Sequence, residues 1–504
     1  MVSCVPFVFL HSTEELVGLT RLFWMTREVG FLIFALPNQQ FIEKPIFMCD
    51  SKYRSSRRTK VLWSMSILTL AWTTLLGDHH GGGEWEVLFD GSSTEHFRGY
   101  QKDGFPNQSW KVESGQLRTI EGAERIDIVS KQQYGDFELV FEWKVTPGGN
   151  SGVMYRVKEG HAKPWHTGPE YQVLDDSRHK DGKSPLTSAG SFYALVSAEG
   201  KLLKPVGEYN QSRIIADGHH IEHWLNGEKV VALELGSDGV TELIAKSKFA
   251  DKPRFAKETK GHLCFQHHHD EVWFRNIKVR SLKRSPRFVP AKKPNRLTKA
   301  NRELGWRNLF SGKNVSRWRG FLKDSFPEKG WVMEDGTIKH ISHGGGGDIV
   351  TKARYEQFDF RFEWRVAPGA NSGVKYFILE EERRKTIGHE YQVIDDTKHP
   401  DALVGPDRQT AAFYDCLSAS NRVLKDVGQF NQSRILVHGQ DVEHWLNGVM
   451  VLRYELGSPD VLAAVAASKF KKVEAFGVRH RGRILLQDHN DEVAYRNLFI
   501  KRLD

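Results

Sequence analysis

Hydrophobic and polar residues alternate strictly along two nine-residue segments of this chain. Apolar side chains occupy every odd position of Phe137–Val145 and every even position of Phe358–Val366. A period of two predicts β-strands with one face in the core and the other in water. The pairs Asn226-Gly227 and Asn447-Gly448 each separate two strand-like runs, which is a strong signal for a tight β-hairpin.

Similar apolar patterns close each half of the chain, at residues 272–279 and 493–500, and both predict a final strand. Helical periodicity occurs only locally, near residues 461–467. Many short strands separated by Gly-rich turns favour a β-sandwich. We therefore predict an all-β fold.

The chain is also a tandem duplication. Four blocks occur twice in the same order, at residues 150–153 and 371–374, 170–173 and 390–393, 210–214 and 431–435, and 222–227 and 443–448. The offset is 221 (371 − 150) and slips to 220 (390 − 170) at the second block. Solenoids and propellers repeat every ~20–50 residues, so this period indicates a duplicated domain.

The domain boundaries follow from the repeat. We place the first copy at residues 84–282 and the second at 305–504, each long enough to bury a core without disulfides or metals. Residues 283–304 are rich in Pro, Lys and Arg, which predicts a basic, extended linker.

The net charge of +9 is concentrated outside the repeats. Residues 283–303 carry eight basic side chains against one acidic side chain (+7), and residues 50–60 carry five against one (+4), so the rest of the chain sums to −2 (9 − 7 − 4). A nucleic-acid-binding protein is expected to have a basic face on a folded domain. We therefore expect no nucleic-acid partner.

A basic segment at residues 56–60 precedes an apolar run at 61–76. This order is typical of a secretory signal, and the run is too short for a stable membrane span. We predict a signal peptide and spacer at 48–80, and an extension at 1–47 that reflects either an upstream start assignment or a genuine extra segment. The expected location is periplasmic or extracellular, with membrane attachment only if the segment is not cleaved.

Four motifs carry a family resemblance. They are Leu-Phe-Asp-Gly at 88–91, Asn-Ser-Gly-Val-Met-Tyr-Arg at 150–156, Gly-Pro-Glu-Tyr-Gln-Val-Leu-Asp-Asp at 168–176 and Leu-Leu-Gln-Asp-His at 485–489. The chain resembles the 3-keto-disaccharide hydrolase family across both copies. The resemblance implies two tandem concanavalin-like (jelly-roll) β-sandwiches with a carbohydrate site on the concave face. It also implies action on glycosides whose C3 hydroxyl has been oxidised to a ketone.

A C3 ketone acidifies the hydrogen at C2, so one base can remove that proton and the C1 substituent can then leave. Such a site needs a proton-transfer residue, a donor for the enolate oxygen and an acid for the leaving group. Histidine with a carboxylate supplies this chemistry without a metal or another cofactor.

The polar residues that recur in both copies fit these needs. We expect catalytic roles for two histidines and two glutamates: His268, Glu170, His489 and Glu390. Within the first copy His268 would transfer the proton, with Glu170 as its acid/base partner. The expected substrate-binding residues are Asn150, Tyr155, Arg156, Gln172, Asp175 and Gln266 in the first copy, and Asn371, Tyr376, Gln392, Asp395 and Gln487 in the second.

The run His267-His268-His269 suggests a zinc site, but two observations argue against it. Adjacent strand residues point to opposite faces, and the second copy retains only the middle histidine. We expect no metal at this position.

The two copies differ at two positions near these motifs. The second copy has Phe377 where the first has Arg156, and the first has His267 where the second has Asp488. We expect weaker sugar anchoring in the second copy and a less well oriented histidine in the first. The sequence thus predicts two clefts of unequal competence.

Two other functions compete with the keto-glycoside enzyme. Tandem sandwiches on a linker also suit a non-catalytic protein that binds a polysaccharide through avidity. An ordinary glycoside hydrolase would instead require two carboxyl groups facing each other across the cleft.

Overall fold

The computed structural model describes residues 82–504, except the side chain of Arg383. It also describes two short paired strands further upstream, Met25–Thr26 (β1) and Val29–Gly30 (β2). Apart from the backbone of these two strands, the predicted extension at 1–47 and signal segment at 48–80 lie outside the described residues. Among the helices that are described, none is both long and apolar enough to cross a membrane.

The first copy contains thirteen strands. They are Glu86–Phe89 (β3), Phe97–Gly99 (β4), Trp110–Glu113 (β5), Gln116–Thr119 (β6), Ile128–Tyr134 (β7), Phe137–Val145 (β8), Asn150–Val157 (β9), Glu170–Leu174 (β10), Asn210–Asp217 (β11), His220–Leu225 (β12), Glu228–Glu234 (β13), Gly261–Phe265 (β14) and Val272–Ser281 (β15).

The second copy repeats this order. Its strands are Arg307–Asn308 (β16), Trp318–Gly320 (β17), Trp331–Glu334 (β18), Thr337–His340 (β19), Ile349–Thr351 (β20), Phe358–Val366 (β21), Asn371–Ile378 (β22), His389–Ile394 (β23), Asn431–His438 (β24), Asp441–Leu446 (β25), Val449–Glu455 (β26), Arg483–Leu486 (β27) and Val493–Arg502 (β28).

Helices are few and short among the described residues: Asp238–Ala245 (α1), Lys299–Glu303 (α2), Glu380–Arg383 (α3) and Pro459–Ala467 (α4). Single 3₁₀ turns occur at Pro164–His166, Lys180–Lys183, Pro185–Thr187, Pro400–Leu403 and Pro406–Arg408. The predicted helix is α4, whereas α1 is its counterpart in the first copy and was not predicted.

Each copy is a jelly-roll β-sandwich of two antiparallel sheets, which confirms the predicted all-β fold. The smaller sheets run β10-β9-β14-β7-β4 and β23-β22-β27-β20-β17. The strands β8 and β21 have the predicted bounds, and their apolar faces lie in the core. Both Asn-Gly pairs form the predicted hairpin turns, with positive φ at both residues of each pair.

The larger sheets of the two copies join edge to edge into one sheet of sixteen strands. The junction is the antiparallel pair β13–β26, in which Leu233 lies opposite Val449. Residues directly opposite each other point to the same face of a sheet, and both side chains are buried in the same core cluster. The two smaller sheets therefore pack on the same side of the shared sheet.

Buried ionic contacts reinforce this junction. Lys229 lies 3.0 Å from Glu222 of its own copy and 2.9 Å from Glu443 of the other. Desolvation opposes the charge on Lys229, but the two carboxylates outweigh it and raise its pKa. On the outer face of the sheet, Trp445 and Met450 pack against Ala232 of the first copy. The copies are thus fused into one body.

Residues 283–304 form no flexible tether. Phe288 packs against Trp306 and Phe499, at ring-centroid distances of 4.7 and 5.4 Å. Buried Asn295 donates its backbone N–H to the side chain of Asn497. The Pro-rich part has no regular secondary structure, as its composition suggests, but its side chains anchor it to the second copy.

Repeated hydrogen bonds explain why two of the four blocks recur. The indole of Trp143 donates to Ser212 and the hydroxyl of Tyr155 meets His223, both in the core. The second copy has the same contacts, Trp364 to Ser433 and Tyr376 to His444. The blocks at 210–214 and 222–227 therefore belong to the scaffold.

Candidate functional site

A polar cleft opens on the outer face of the smaller sheet in each copy. The first has a volume of ≈ 220 Å³ and includes, among its lining residues, Asn150, Glu170, Gln172, Gln266 and His268. The second has a volume of ≈ 390 Å³ and includes the matching Asn371, Glu390, Gln392, Gln487 and His489. Ten of the fifteen predicted site residues thus gather in two equivalent clefts.

The Asn-Ser-Gly motif opens strand β9, and each of its residues has a separate task. Asn150 lines the cleft. Ser151 donates its hydroxyl to the carbonyl of Gln266, which ties β9 to the end of β14. Gly152 lies under the Glu170 carboxyl group, and a Cβ atom at residue 152 would overlap Glu170 Oε1. Gly373 and Glu390 repeat this arrangement.

Glu170 and Gln172 lie on the same face of β10, as their spacing predicts, while Tyr171 between them points into the core. Among the described residues, no hydrogen bond reaches the Glu170 carboxyl group. Its burial raises the pKa of Glu170, an effect that nearby Lys248 only partly offsets. A carboxyl group in this environment is suited to donating a proton near neutral pH.

His268 follows the end of β14 and is half-buried at the cleft. Burial lowers the pKa of His268, and Asp270 acts in the opposite direction. The lowered pKa favours the neutral imidazole, which can accept a proton. The pKa values of the acid and the imidazole in this cleft therefore move in opposite directions, which is the pattern of an acid/base pair.

The side-chain amide of Gln172 places a hydrogen-bond acceptor in the first cleft. Its Nε2 donates to Asn150 Oδ1 at 3.4 Å, while its buried Oε1 has no hydrogen-bond partner among the described residues. A buried acceptor without a partner is unfavourable unless a ligand satisfies it, so this oxygen fits a sugar hydroxyl. In the second cleft the Oε1 of Gln392 accepts the backbone N–H of Val393 instead.

Five predicted substrate-binding residues do not line the clefts, and that part of the prediction is corrected here. Tyr155 and Tyr376 point into the core towards His223 and His444. Asp175 and Asp395 accept the backbone N–H groups of Gly148 and Gly369 and thereby brace the preceding turns.

Arg156 is buried elsewhere and donates to the carbonyl of Gly135. Because Arg156 does not line the cleft, its replacement by Phe377 has no bearing on sugar anchoring. The first copy has His267 in place of Asp488, but both side chains accept the equivalent backbone N–H group. Asp488 accepts the N–H of Asn490, and Nδ1 of His267 accepts the equivalent N–H of His269. The histidine loop therefore keeps the same brace in both copies.

Sequence reasoning missed a second set of cleft residues. Lys248 stands over the ring of Tyr193, 4.2 Å from its centroid, and Lys469 stands over Tyr414 at 4.1 Å. The two tyrosines donate to Asp181 and Asp401. The signal was present in the duplication, because Ser-Lys-Phe recurs at 247–249 and 468–470, and Phe-Tyr at 192–193 and 413–414.

Two histidines and a carboxylate in the second copy, His399, His489 and Asp491, lie close enough to share a metal ion. The hydrogen bond at Nδ1 of His399 does not suit a metal ligand. That nitrogen accepts the backbone N–H of Asp401, so the neutral ring carries its proton on Nε2. Metal-bound histidines normally donate from the second nitrogen to an acceptor. His179 makes the same contact with Asp181 in the first copy.

Jelly-roll sandwiches occur in lectin domains among other proteins, so the fold and its two polar clefts are compatible with a carbohydrate ligand. The model of the 3-keto-alpha-glucoside-1,2-lyase-like domain matches residues 84–280 and again 305–501. The chain belongs to this family, and its function is of the carbohydrate-active, glycosyl hydrolase type.

Known proteins that are similar to parts of this chain include the following three. A 3-keto-disaccharide hydrolase of Bacteroides thetaiotaomicron is 36% identical over 230 residues, which are 40% of this chain and 79% of that protein. The crystal structure of a candidate glycosyl hydrolase from Parabacteroides distasonis is 33% identical, with a TM-score of 0.37, and the match covers 40% of this chain and 94% of that one. Carbohydrate-binding module CBM66 of Bacillus subtilis is 15% identical, with a TM-score of 0.25, over 37% of this chain and 96% of the module.

Proposed function

We propose that this protein cleaves 3-keto-glycosides. His268 removes the C2 proton, and the C2–H electron pair moves into the C2–C3 bond as the C3 oxygen gains negative charge. Collapse of that enolate expels the C1 substituent, whose oxygen takes a proton from Glu170. Water then adds to the unsaturated sugar, or the sugar leaves as the elimination product.

The observation that supports this proposal most directly is the pairing of Glu170 with His268 in one cleft. The burial of both groups favours a protonated carboxyl and a neutral imidazole. Elimination beside a ketone needs an acid and a base in these states. Lys248, on the cleft wall, adds a positive charge that would stabilise the enolate.

The names of the matching family and of one relative also support this proposal. The family model is named for a 3-keto-alpha-glucoside-1,2-lyase-like domain, and the Bacteroides relative is named a 3-keto-disaccharide hydrolase. These names favour a substrate that carries a ketone at C3 over an ordinary glycoside.

The test is incubation of the protein with a chromogenic 3-keto-glucoside and with the matching unoxidised glucoside. We expect release of the aglycone from the keto sugar alone, and deuterium at C2 of recovered substrate or product in D₂O. His268→Ala and Glu170→Gln should each reduce release by about 100-fold or more. Release from the unoxidised glucoside would instead support the two-carboxylate mechanism.

A non-catalytic carbohydrate-binding role is the second candidate. Its supporting observation is that both cleft-bearing sheets pack on one side of the shared sheet, so two sites can contact one extended glycan. Binding of 3-keto-glucoside by calorimetry without any aglycone release would favour this candidate over the enzyme.

We also propose export to the periplasm or the cell exterior, supported by the basic and apolar segments at 56–60 and 61–76. Cell fractionation and mass spectrometry of the mature N-terminus test this. Protein that remains in the cytoplasm with the whole segment attached would contradict it.

A further inference from the structure

We propose that the first copy carries the catalysis and that Lys375 makes the second cleft a sugar-binding site with little turnover. This inference rests on the proposed function. It concerns one substitution between the copies that lies directly beside the acid residue of each cleft.

The substituted position is fixed by strand register. Met154 on β9 lies opposite Glu170, and Lys375 on β22 lies opposite Glu390. Met154 is fully buried among apolar side chains. Lys375 is also nearly buried, and its Nζ lies 3.5 Å from Glu390 Oε2.

The ammonium group of Lys375 opposes protonation of the Glu390 carboxyl group. A buried carboxylate with a cation beside it favours the ionised form, and an ionised carboxylate has no proton to give to a leaving group. Burial raises the pKa of Glu390, but Lys375 and Lys469 both oppose that rise. Lys248 opposes the rise in the pKa of Glu170, whereas Asp127 and Asp181 add to it, and Glu170 has no direct ion pair among the described residues.

Two further differences separate the clefts. The side chain of His489 is 43% exposed, whereas His268 is half-buried. The exposed imidazole is open to water, which competes for its proton-accepting nitrogen. The Oε1 of Gln392 accepts a hydrogen bond within its own strand, whereas no described residue donates to the Oε1 of Gln172.

The second cleft nevertheless keeps the means to bind a sugar. It is the larger of the two, and the buried Oδ1 of Asn371, which lines it, has no hydrogen-bond partner in the part of the chain that the structure describes. A carboxylate paired with Lys375 can accept hydrogen bonds from sugar hydroxyls, which a protonated acid does less well.

Reciprocal exchange of the two residues tests the inference. In the full-length protein, Met154→Lys should lower kcat for release from a chromogenic 3-keto-glucoside by about 100-fold, the usual contribution of a general acid. Met154→Leu, which conserves volume and polarity, should stay within about threefold of wild type and controls for packing.

A second experiment removes Lys375 and therefore does not require a new lysine to be buried. In a His268→Ala background, which disables the first cleft, Lys375→Met should restore release by at least about tenfold. Absence of this gain would overturn the role of Lys375, as would Met154→Lys with unchanged kcat. Circular dichroism and thermal melting confirm that each variant is folded.

Failure of the proposed function gives a different result. In that case wild type releases no aglycone from the 3-keto-glucoside in the first place. If wild type is active but the His268→Ala protein keeps half of its rate, the chemistry stands and the assignment to the first copy is wrong.

Discussion

The side chain of Glu170 packs against the α-carbon of Gly152 on the neighbouring strand. Its carboxyl group occupies the space where any other residue at position 152 would place its Cβ atom. The relationship recurs between Glu390 and Gly373. It explains the recurrent glycine of the Asn-Ser-Gly motif by close approach, since neither Gly152 nor Gly373 has a positive φ.

We therefore expect Gly152→Ala to displace Glu170 and to lower aglycone release by about 100-fold, while the fold survives with a loss of about 1–3 kcal/mol in unfolding free energy. Kinetics and thermal melting measure the two effects. Gly135→Ala is the matched control, since its new methyl group would meet only ordinary contacts. Unchanged kcat in Gly152→Ala would show that the position of Glu170 is not critical.

The rate should depend on pH with two limbs. Release rises as pH increases through the pKa of His268, which burial places below its ordinary value, because the base must be neutral. Release falls as pH increases through the pKa of Glu170, which burial raises, because the acid must be protonated. A profile of kcat against pH should lose its alkaline limb in Glu170→Gln, and retention of that limb would assign it to another group.

The raised pKa of Glu170 also predicts an effect on stability. The folded protein binds this proton more tightly than the unfolded chain, so its contribution is complete below the unfolded pKa and is lost as pH rises through the folded pKa. Glu170→Gln should therefore melt higher than wild type at pH 9 and close to wild type at pH 5. Glu390→Gln is the comparison, and its gain should be smaller because it also removes the partner of Lys375.

The shared sheet predicts that the two copies unfold together. Lys229→Met leaves Glu222 and Glu443 buried without their common cation, which typically costs about 3–5 kcal/mol. Calorimetry should show one transition in wild type and a lower melting temperature in this variant. Lys246→Met, which removes only an exposed pair with Glu242, should change little. Two separate transitions in wild type would mean that the junction is weak.

A chelator should leave the reaction unaffected. Nδ1 of His399 accepts the backbone N–H of Asp401, so on the neutral ring the remaining nitrogen carries a proton instead of a free electron pair. Dialysis against EDTA should preserve kcat for the 3-keto-glucoside. If the rate is lost and Zn²⁺ or Mn²⁺ restores it, the imidazole ring of His399 must reorient to bind a metal ion.

The sequence predicted the scaffold well because strand periodicity and hairpin turns are local properties. Phe137–Val145 and Phe358–Val366 have the predicted bounds, and both Asn-Gly turns form. Recurrence of a polar residue was a weaker guide to the site. Tyr155 and Asp175 recur because the core and a turn need them, and recurrence alone does not separate such residues from those that line a cleft.

By itself the sequence determined a duplicated all-β domain, its family, and the presence of Glu170, Gln172 and His268 together in one polar site. Only the tertiary structure decided which side chains face that site, because the loops that cover the small sheet bring Lys248 and Tyr193 from distant parts of the chain. The same holds for the fusion of the copies. The edge pairing of β13 with β26 joins residues more than two hundred positions apart, and the register that sets Lys375 beside Glu390 exists only once the strands pair.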